Sequence, residues 1–368
     1  MFDRRLVQNF DWLLLALILV IAGIGIVNLY SAGYNRTPDG VTAVYIKQSY
    51  WLLVGLWVMF LTLTVDYRHL ERLAYPLYTI GIILLLAVMV AGKTVSGSKR
   101  WLGAGFFTFQ PSELVKIALI LVLARHFHRL APEGPLKFKD IIVPLVLILV
   151  PAALIAKQPD LGSAILVTLV GISMILLVGV YWRTLLVGVA VLVSAIPSVW
   201  PFLKEYQKQR VRMFLDPERD PLGAGYHIIQ SKIAVGSGQF WGKGFLQGTQ
   251  SQLHFLPEQH TDFAFSVFAE EWGFVGSAVL VFLYLMLSLW GLLVARNCKE
   301  RFGQLLALGV TALLFWQVFI NLCMVTGLMP VVGIPLPLFS YGGSSLITTM
   351  LALGLLLNLR MRRFLFGG

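Results

Sequence analysis

Between Phe255 and Gly276 the chain reads FLPEQHTDFAFSVFAEEWGFVG. Glu258, His260, Asp262, Glu270 and Glu271 stand at the mouth of an apolar run or inside it. Carboxylates beside lipid are costly, and a chain that keeps them there points to a functional site. Thr261 or Asp262 makes a good N-cap for the run that follows. Two acids and a histidine between positions 258 and 262 are nevertheless more than a cap needs. At helical spacing Ser266 falls near the face of Asp262, Glu270 roughly on that side, and Glu271 elsewhere, toward a structural partner. A carboxylate so placed can take the proton of an attacking hydroxyl. It can equally hold a divalent cation, Mg or Mn.

Three further stretches carry chemistry or break a helix. KTVSGSKRWLGAGFFTFQPSELVK runs from Lys93 to Lys116, and its Pro111 fits the first position of a helix. Glu113 and Lys116 then lie one turn apart on one face. That spacing suits a local ion pair, and it also suits the floor of a polar cavity with Lys93, Lys99 and Arg100 above it as phosphate partners. KQPDLGSA places Asp160 before the next apolar run, as its N-cap or as part of the same polar wall. GLMPVVGIPLPLFSYGGSS, residues 327–345, contains Pro330, Pro335 and Pro337, which cannot continue a helix. Non-helical backbone at membrane depth is tolerated where protein or a wet cavity surrounds it. Ser340, Ser344 and Ser345 suit the lining of such a cavity; the plainer reading is a loop with a close glycine contact.

These stretches need elements to hold them. Of 368 residues, 58% are hydrophobic and 13% charged, about half the charge of a soluble domain. Apolar runs of roughly 20 residues recur, each able to cross ~30 Å of hydrocarbon. The chain therefore reads as an all-α polytopic membrane protein, a single integral membrane domain over 1–368. Ten spans are expected near Trp12–Tyr30, Tyr45–Val65, Leu73–Gly92, Pro111–Phe127, Ile141–Ala156, Leu161–Val180, Thr184–Phe202, Phe263–Val294, Gly303–Leu328 and Phe339–Leu359. The first run is too long for a signal-peptide core and reads as a retained span.

Charge orients the bundle. With both termini in the cytoplasm, fifteen basic residues flank the inner ends: Arg4, Arg5, Arg68, Arg72, Arg125, Arg129, Lys137, Lys139, Arg183, Arg296, Lys299, Arg301, Arg360, Arg362 and Arg363. The short outer loops carry six: Arg36, Lys47, Lys93, Lys99, Arg100 and Lys157. The positive-inside rule accounts for this split, and so for the net charge of +11, without a nucleic-acid partner. Merging the fifth and sixth spans through KQPD would put Arg183, Arg296 and Arg301 on the wrong sides. Lys93, Lys99, Arg100, Asp160 and Asp262 then all face outward, as does a long extracytoplasmic loop over 203–262. Within that loop YQKQRVRMFLDP reads as a basic amphipathic helix stopped by Pro217, YHIIQSKIAVGSG as a second helix ended by Gly236, and the Gly-rich stretch after it as irregular.

Cys298 and Cys323 fall at different depths, so no disulfide is expected. Neither a Cys/His metal pattern nor HExxH is present.

KRWLGAGFFTFQPSELVK, QPDLGSA, YHIIQSKIAVGSGQFWGKGFLQGTQSQLHFLPEQHTDFAFSVFAEEWGF and PVVGIPLPLFSYGGSS together resemble the SEDS family of bacterial cell-wall glycosyltransferases. The resemblance covers essentially the whole chain, and the short N-terminus and FLPEQHTDF favour the family's elongation enzymes over its division enzymes. It implies ten spans in the bacterial inner membrane, an active site facing outside, and polymerisation of lipid II (an undecaprenyl-pyrophosphate-linked disaccharide peptide) into β-1,4-linked glycan during rod-shape maintenance. Asp262 matches the family's required aspartate, Glu113 and Lys116 its Glu/Lys pair, and Asp160 its outer-loop aspartate. Lys99, Arg100, Glu258, His260 and Ser344 complete the expected substrate-binding set. The resemblance also implies a class B penicillin-binding protein as transpeptidase partner, among other elongation-complex membrane proteins and membrane lipids. The competing readings are a flippase for the lipid-linked precursor and a non-catalytic scaffold. Against the first, the breaks and charges crowd one side and no repeat is visible; the second has no use for Asp262.

Overall fold

The computed structural model describes residues 8–34, 38–95, 98–104, 107–130, 134–199, 201, 205–216, 225–253, 255–256 and 258–363. Ten long helices match the ten expected spans: α1 (Trp12–Gly33), α2 (Pro38–Thr64), α3 (Tyr67–Ala91), α4 (Pro111–Leu130), α5 (Phe138–Lys157), α6 (Leu161–Val178), α7 (Trp182–Val199), α11 (Ala264–Asn297), α12 (Arg301–Val325) and α13 (Gly343–Arg362). Between α7 and α11 lie α8 (Glu205–Leu215), α9 (Tyr226–Ser237) and the single turn α10 (Thr249–Gln252). Eight of the ten are apolar enough along their described length to cross a membrane. The others are α4, which carries Glu113, Lys116, Arg125 and Arg129, and α7, whose described apolar stretch is shorter.

Local chemistry sets the helix starts. Asp11 accepts from Leu14 N at 3.1 Å, Asp66 from Arg68 N at 3.0 Å and Asp160 from Ser163 N at 3.1 Å, each satisfying one of the donors a helix leaves open. Gln158 to Asp160 turns α5 back onto α6, where Gly171 lets Ile148 approach, so the two are separate spans. Several features differ from expectation: α2 starts at Pro38 rather than Tyr45, and α3 at Tyr67 rather than Leu73. The cap of α11 is Phe263, with neither Thr261 nor Asp262 bonding the helix as an N-cap. The last span begins at Gly343 rather than Phe339, because residues 330–342 stay irregular around Pro335, Pro337 and Leu338 (φ 66°). And β1 (Lys93–Val95), β2 (Ser98–Ala104) and β3 (Phe107–Phe109) form a small antiparallel sheet that the sequence reading did not foresee. Its register pairs Lys93 with Trp101 and Leu102 with Phe109.

α4, α12 and α13 form the centre; every residue of α4 from Val115 to Ala124 is buried. α7 lies at the edge, with Trp182, Leu185, Leu186 and Val189 exposed. Contacts sort the bundle into two ends. At the termini end Asp11 meets Arg360 at 3.3 Å, Tyr67 donates to Glu300 at 2.7 Å, and Arg362 meets Asp66 at 3.5 Å. At the loop end, Gln110 meets Asp160, Gln259 meets Ala32, and Gln48 meets Ser340.

α11 is two half-helices joined at Gly273 (φ 62°, ψ −160°). The break frees the carbonyls of Glu270 and Glu271 and the N–H groups of Phe274 and Val275, which the segment 239–244 takes up. Lys243 N and Gly244 N donate to those carbonyls at 3.0 Å each, and Phe274 N and Val275 N donate to Gln239 O and Phe240 O at 2.9 and 3.2 Å. These four backbone groups thus find new partners. The approach is close enough that a β-carbon on Gly242 (φ 82°) would sit 2.1 Å from Glu271 O.

Candidate functional site

Asp262 ends a tight turn that starts at Glu258, a non-glycine residue with φ 48°. Thr261 N donates to Glu258 O at 3.1 Å, and Thr261 Oγ1 donates to Glu258 Oε2 at 3.1 Å. Three buried amides tie this turn and the start of α11 to other elements. Asn321 Nδ2, from α12, donates to Asp262 O at 2.9 Å and to Ile334 O at 2.8 Å. Gln259 Nε2 donates to Ala32 O at 2.6 Å, and Asn28 Nδ2 to Ala264 O at 2.9 Å. Tyr341 N donates to His260 O at 2.8 Å, which ties the irregular 330–342 segment to the same turn. Gly333 (φ 74°) lies against the carboxylate, and a β-carbon there would approach Asp262 Oδ2 to 3.3 Å.

The Asp262 side chain is only partly exposed. Burial raises its pKa to about 6; Glu258 and Asp160 add to that rise, and Arg100 and Arg210 oppose it. A carboxylate poised there is ionised at neutral pH yet basic enough to accept a proton during reaction. His227, in α9, stacks on Phe263 with ring centres 6.3 Å apart, and burial lowers its pKa.

The remaining candidates fall into two groups. Arg100, in β2, lies 3.8 Å from Asp160 Oδ1, and Gln110 Nε2 donates to Asp160 Oδ2 at 2.9 Å. Asp160 is therefore a helix cap and a member of the charged cluster at once. The Nε of Arg100 is buried without a hydrogen-bond partner among the described residues. Glu113 and Lys116 instead pair with each other at 2.7 Å, both buried in α4, while Glu113 Oε2 has no partner among the described residues. Ser344 lies in the first turn of α13, and Ser340 Oγ accepts from Leu336 N at 3.0 Å. Lys93 and Lys99 belong to β1 and β2, but their side chains lie outside the described residues, as do Pro217 and Pro257.

Neither of the later acids faces Asp262. Glu270 is fully buried and accepts from Lys243 Nζ at 2.7 Å, Gln250 N at 3.0 Å, Thr249 Oγ1 at 3.1 Å and Ser251 N at 3.3 Å. It caps α10 and holds the loop. Glu271 accepts from Ser31 Oγ of α1, and Ser266 pairs with Ser231 of α9 at 2.9 Å. Sequence reasoning missed Arg210, Gln110 and Asn321. Arg210 was legible only as one cation of a basic helix; Asn321 shows as a lone amide inside an apolar run.

Among the described residues no three His, Cys, Asp or Glu side chains converge to hold a metal. A hard cation held by the described side chains alone would lack ligands and would need water or substrate oxygens to complete its shell.

Residues 11–364 match the FtsW/RodA/SpoVE family of cell cycle proteins. The peptidoglycan glycosyltransferase MrdB of Escherichia coli K12 is 49% identical over 313 residues, covering 85% of this chain and 84% of that protein. A solved chain from a peptidoglycan synthase complex that coordinates polymerization and crosslinking is 38% identical and superposes with a TM-score of 0.83, covering 96% of this chain and 98% of that one. The rod shape determining protein RodA of Thermus thermophilus is 34% identical with a TM-score of 0.72 over the same shares.

Proposed function

The chain belongs to the FtsW/RodA/SpoVE family, and from that premise we propose that Asp262 is the general base of a lipid II polymerase. The protein is a multi-pass membrane enzyme, a peptidoglycan glycosyltransferase of the RodA type. The observation that carries the assignment is the setting of Asp262: a partly buried carboxylate with pKa about 6, its backbone held by Asn321, with Arg100 and Arg210 close enough to act on it.

A sugar hydroxyl is a poor nucleophile. Asp262 takes the proton of the acceptor's 4-hydroxyl as its oxygen attacks the anomeric carbon of the lipid-linked chain. The new C–O bond forms as the bond from that carbon to the pyrophosphate oxygen breaks, and the electron pair leaves with undecaprenyl pyrophosphate. One base on the face opposite the leaving group inverts configuration and gives the β-1,4 link, by analogy with inverting glycoside hydrolysis. Arg100 and Arg210 offset the negative charge that grows on the departing pyrophosphate. Asp160 and Gln110 hold Arg100 in place, and the Glu113–Lys116 pair supports the wall behind them. We assign any Mg or Mn ion to the substrate's own phosphates, because the described side chains make no cage for one.

The loop end faces the outside of the cytoplasmic membrane in this reading, in accord with the excess of basic residues at the termini end. A class B penicillin-binding protein is the proposed transpeptidase partner, which the similarity to a synthase-complex chain supports.

The deciding experiment is lipid II polymerisation by the purified protein with its transpeptidase partner, wild type against Asp262→Asn, with and without chelator. Glycan from wild type alone, chelator or not, is the expected result. Glycan from both proteins would leave Asp262 out of the chemistry. Loss of the wild-type product with chelator would make a cation part of it. Transfer of labelled precursor across vesicles without polymer would favour a flippase.

A further inference from the structure

At Gly273 the surroundings of α11 change. Every residue from Ala264 to Glu271 is buried. From Phe274 onward the helix shows apolar side chains outward, including Val279, Phe282, Leu285 and Leu289. Residues 274–297 rise about 36 Å at ~1.5 Å per residue, enough to cross ~30 Å of hydrocarbon unaided. The basic residues Arg296, Lys299 and Arg301 mark the termini end of this half, so Phe274 falls at the opposite hydrocarbon boundary.

The segment that fills the break lies at the same level, and its tip, Phe240 and Trp241, is aromatic, with the uncharged Gln239 exposed just before it. Trp241 is 77% exposed, Phe274 63% and Phe240 54%. They form one patch: Phe240 stacks on Phe274 at 5.8 Å and meets Trp241 edge-on at 5.1 Å. The only cation of the tip, Lys243, turns inward to Glu270 at 2.7 Å. A non-helical segment can lie against lipid only if its backbone polar groups are paired. Here four of them bond to residues 270–275, and Gly242 N donates to Gly238 O at 2.8 Å.

We propose that Phe240, Trp241 and Phe274 form an anchor seated in the headgroup–acyl boundary of the loop-end leaflet, and that this anchor sets the depth of the Asp262 turn. Exposed Trp concentrates at that boundary, and Trp with Phe makes the buried face of interfacial segments; the patch continues the lipid-facing stripe of α11 without a charged interruption. Depth follows from connectivity. Residues 239–244 are bonded to 270–275, and the eight buried helical residues Ala264 to Glu271 connect the break to Phe263 and Asp262. The inference stands on how the chain crosses the bilayer and is independent of the reaction assigned above.

The test uses the full chain in vesicles of phosphatidylcholine and phosphatidylglycerol, with some of the phosphatidylcholine brominated at acyl carbons 6,7 or 11,12. The Trp241 signal is the difference in tryptophan fluorescence between wild type and Trp241→Tyr. Bromine at 6,7 should quench that difference more than bromine at 11,12, with little effect of aqueous iodide. Quenching by iodide alone would put Trp241 in water and overturn the anchor, and protection from every quencher would mean that protein, a second copy for instance, covers the patch. Trp241→Glu tests the depth claim separately: polymerisation should fall several-fold in vesicles but not in detergent. Equal vesicle activity would overturn it. Because the quenching needs no turnover, its outcome is distinguishable from failure of the proposed reaction.

Discussion

On the loop-end side of Gly273, α11 carries two carboxylates at consecutive positions and buries both, with Glu270 held by the ammonium of Lys243 and by backbone N–H groups and Glu271 by a hydroxyl. On the other side, from Phe274 to Val294, the same helix carries no charge at all and turns apolar side chains outward. One element thus obeys two solvents. Protein surrounds the first half, so polar groups are retained wherever a partner is built for them. Lipid faces the second half, where no partner can be supplied. The boundary is the break itself, and it lets a single helix deliver Asp262 to a polar site while still crossing the bilayer.

The sharpest way to break this contrast is at Asp262. Asp262→Asn should lower polymerisation by about 10²- to 10⁴-fold, the range for removal of a general base, as read by glycan formation from lipid II. The same variant checks the electrostatics. A carboxylate whose pKa is raised by folding, here from 3.8 to about 6, binds its proton more tightly in the folded state. Its contribution to stability is therefore present below about pH 4 and is lost as pH rises through 6. Asp262→Asn should accordingly melt no lower than wild type at pH 7.5, and a lower melting temperature would recast Asp262 as structural. Wild-type activity should fall with acid through pH 6 rather than near pH 4.

Next in size are two exchanges of polarity across the break. Glu270→Gln removes the charge beneath the partly exposed Lys243 and should destabilise the protein by about 1.5–3 kcal/mol, the range for a hydrogen bond to a charged group, measured by thermal unfolding in detergent. Leu285→Asp places a carboxylate on the lipid-facing half and should cost about 3 kcal/mol of insertion free energy, read by glycosylation-tag insertion assays. If both changes proved silent, the two-solvent account would be wrong. Gly242→Ala sets a methyl against Glu271 O at a positive φ and should cost about 1–3 kcal/mol, with loop proteolysis as the readout. Ser31→Ala removes one hydrogen bond to buried Glu271 and should cost about 1–3 kcal/mol, toward the lower figure if water reaches the carboxylate.

The amino-acid sequence by itself marked out the ten long helices, eight of them by hydrophobic length against bilayer thickness, and it singled out Asp262, Asp160, Arg100 and the Glu113–Lys116 pair, because charge near lipid is rare enough to notice. The turn at Gln158–Asp160 and the basic helix Glu205–Leu215 were legible for the same local reasons: proline, a cap and helical periodicity. Other features were decided only by the tertiary structure. Gly273 sits in a run that reads as continuous helix, and nothing within it says that residues 239–244 will supply the missing backbone partners. The partners of Glu270 and Glu271 lie on other elements, 19 to 240 positions away, so their roles depend on contacts that no local pattern encodes. The same holds for Asn321, which steadies Asp262 across a separation of 59 residues, and for Arg210, whose charge acts on that carboxylate through space. Hydrophobic span and helix capping are properties of neighbours in the chain, whereas burial, pairing and a shifted pKa are properties of neighbours in space.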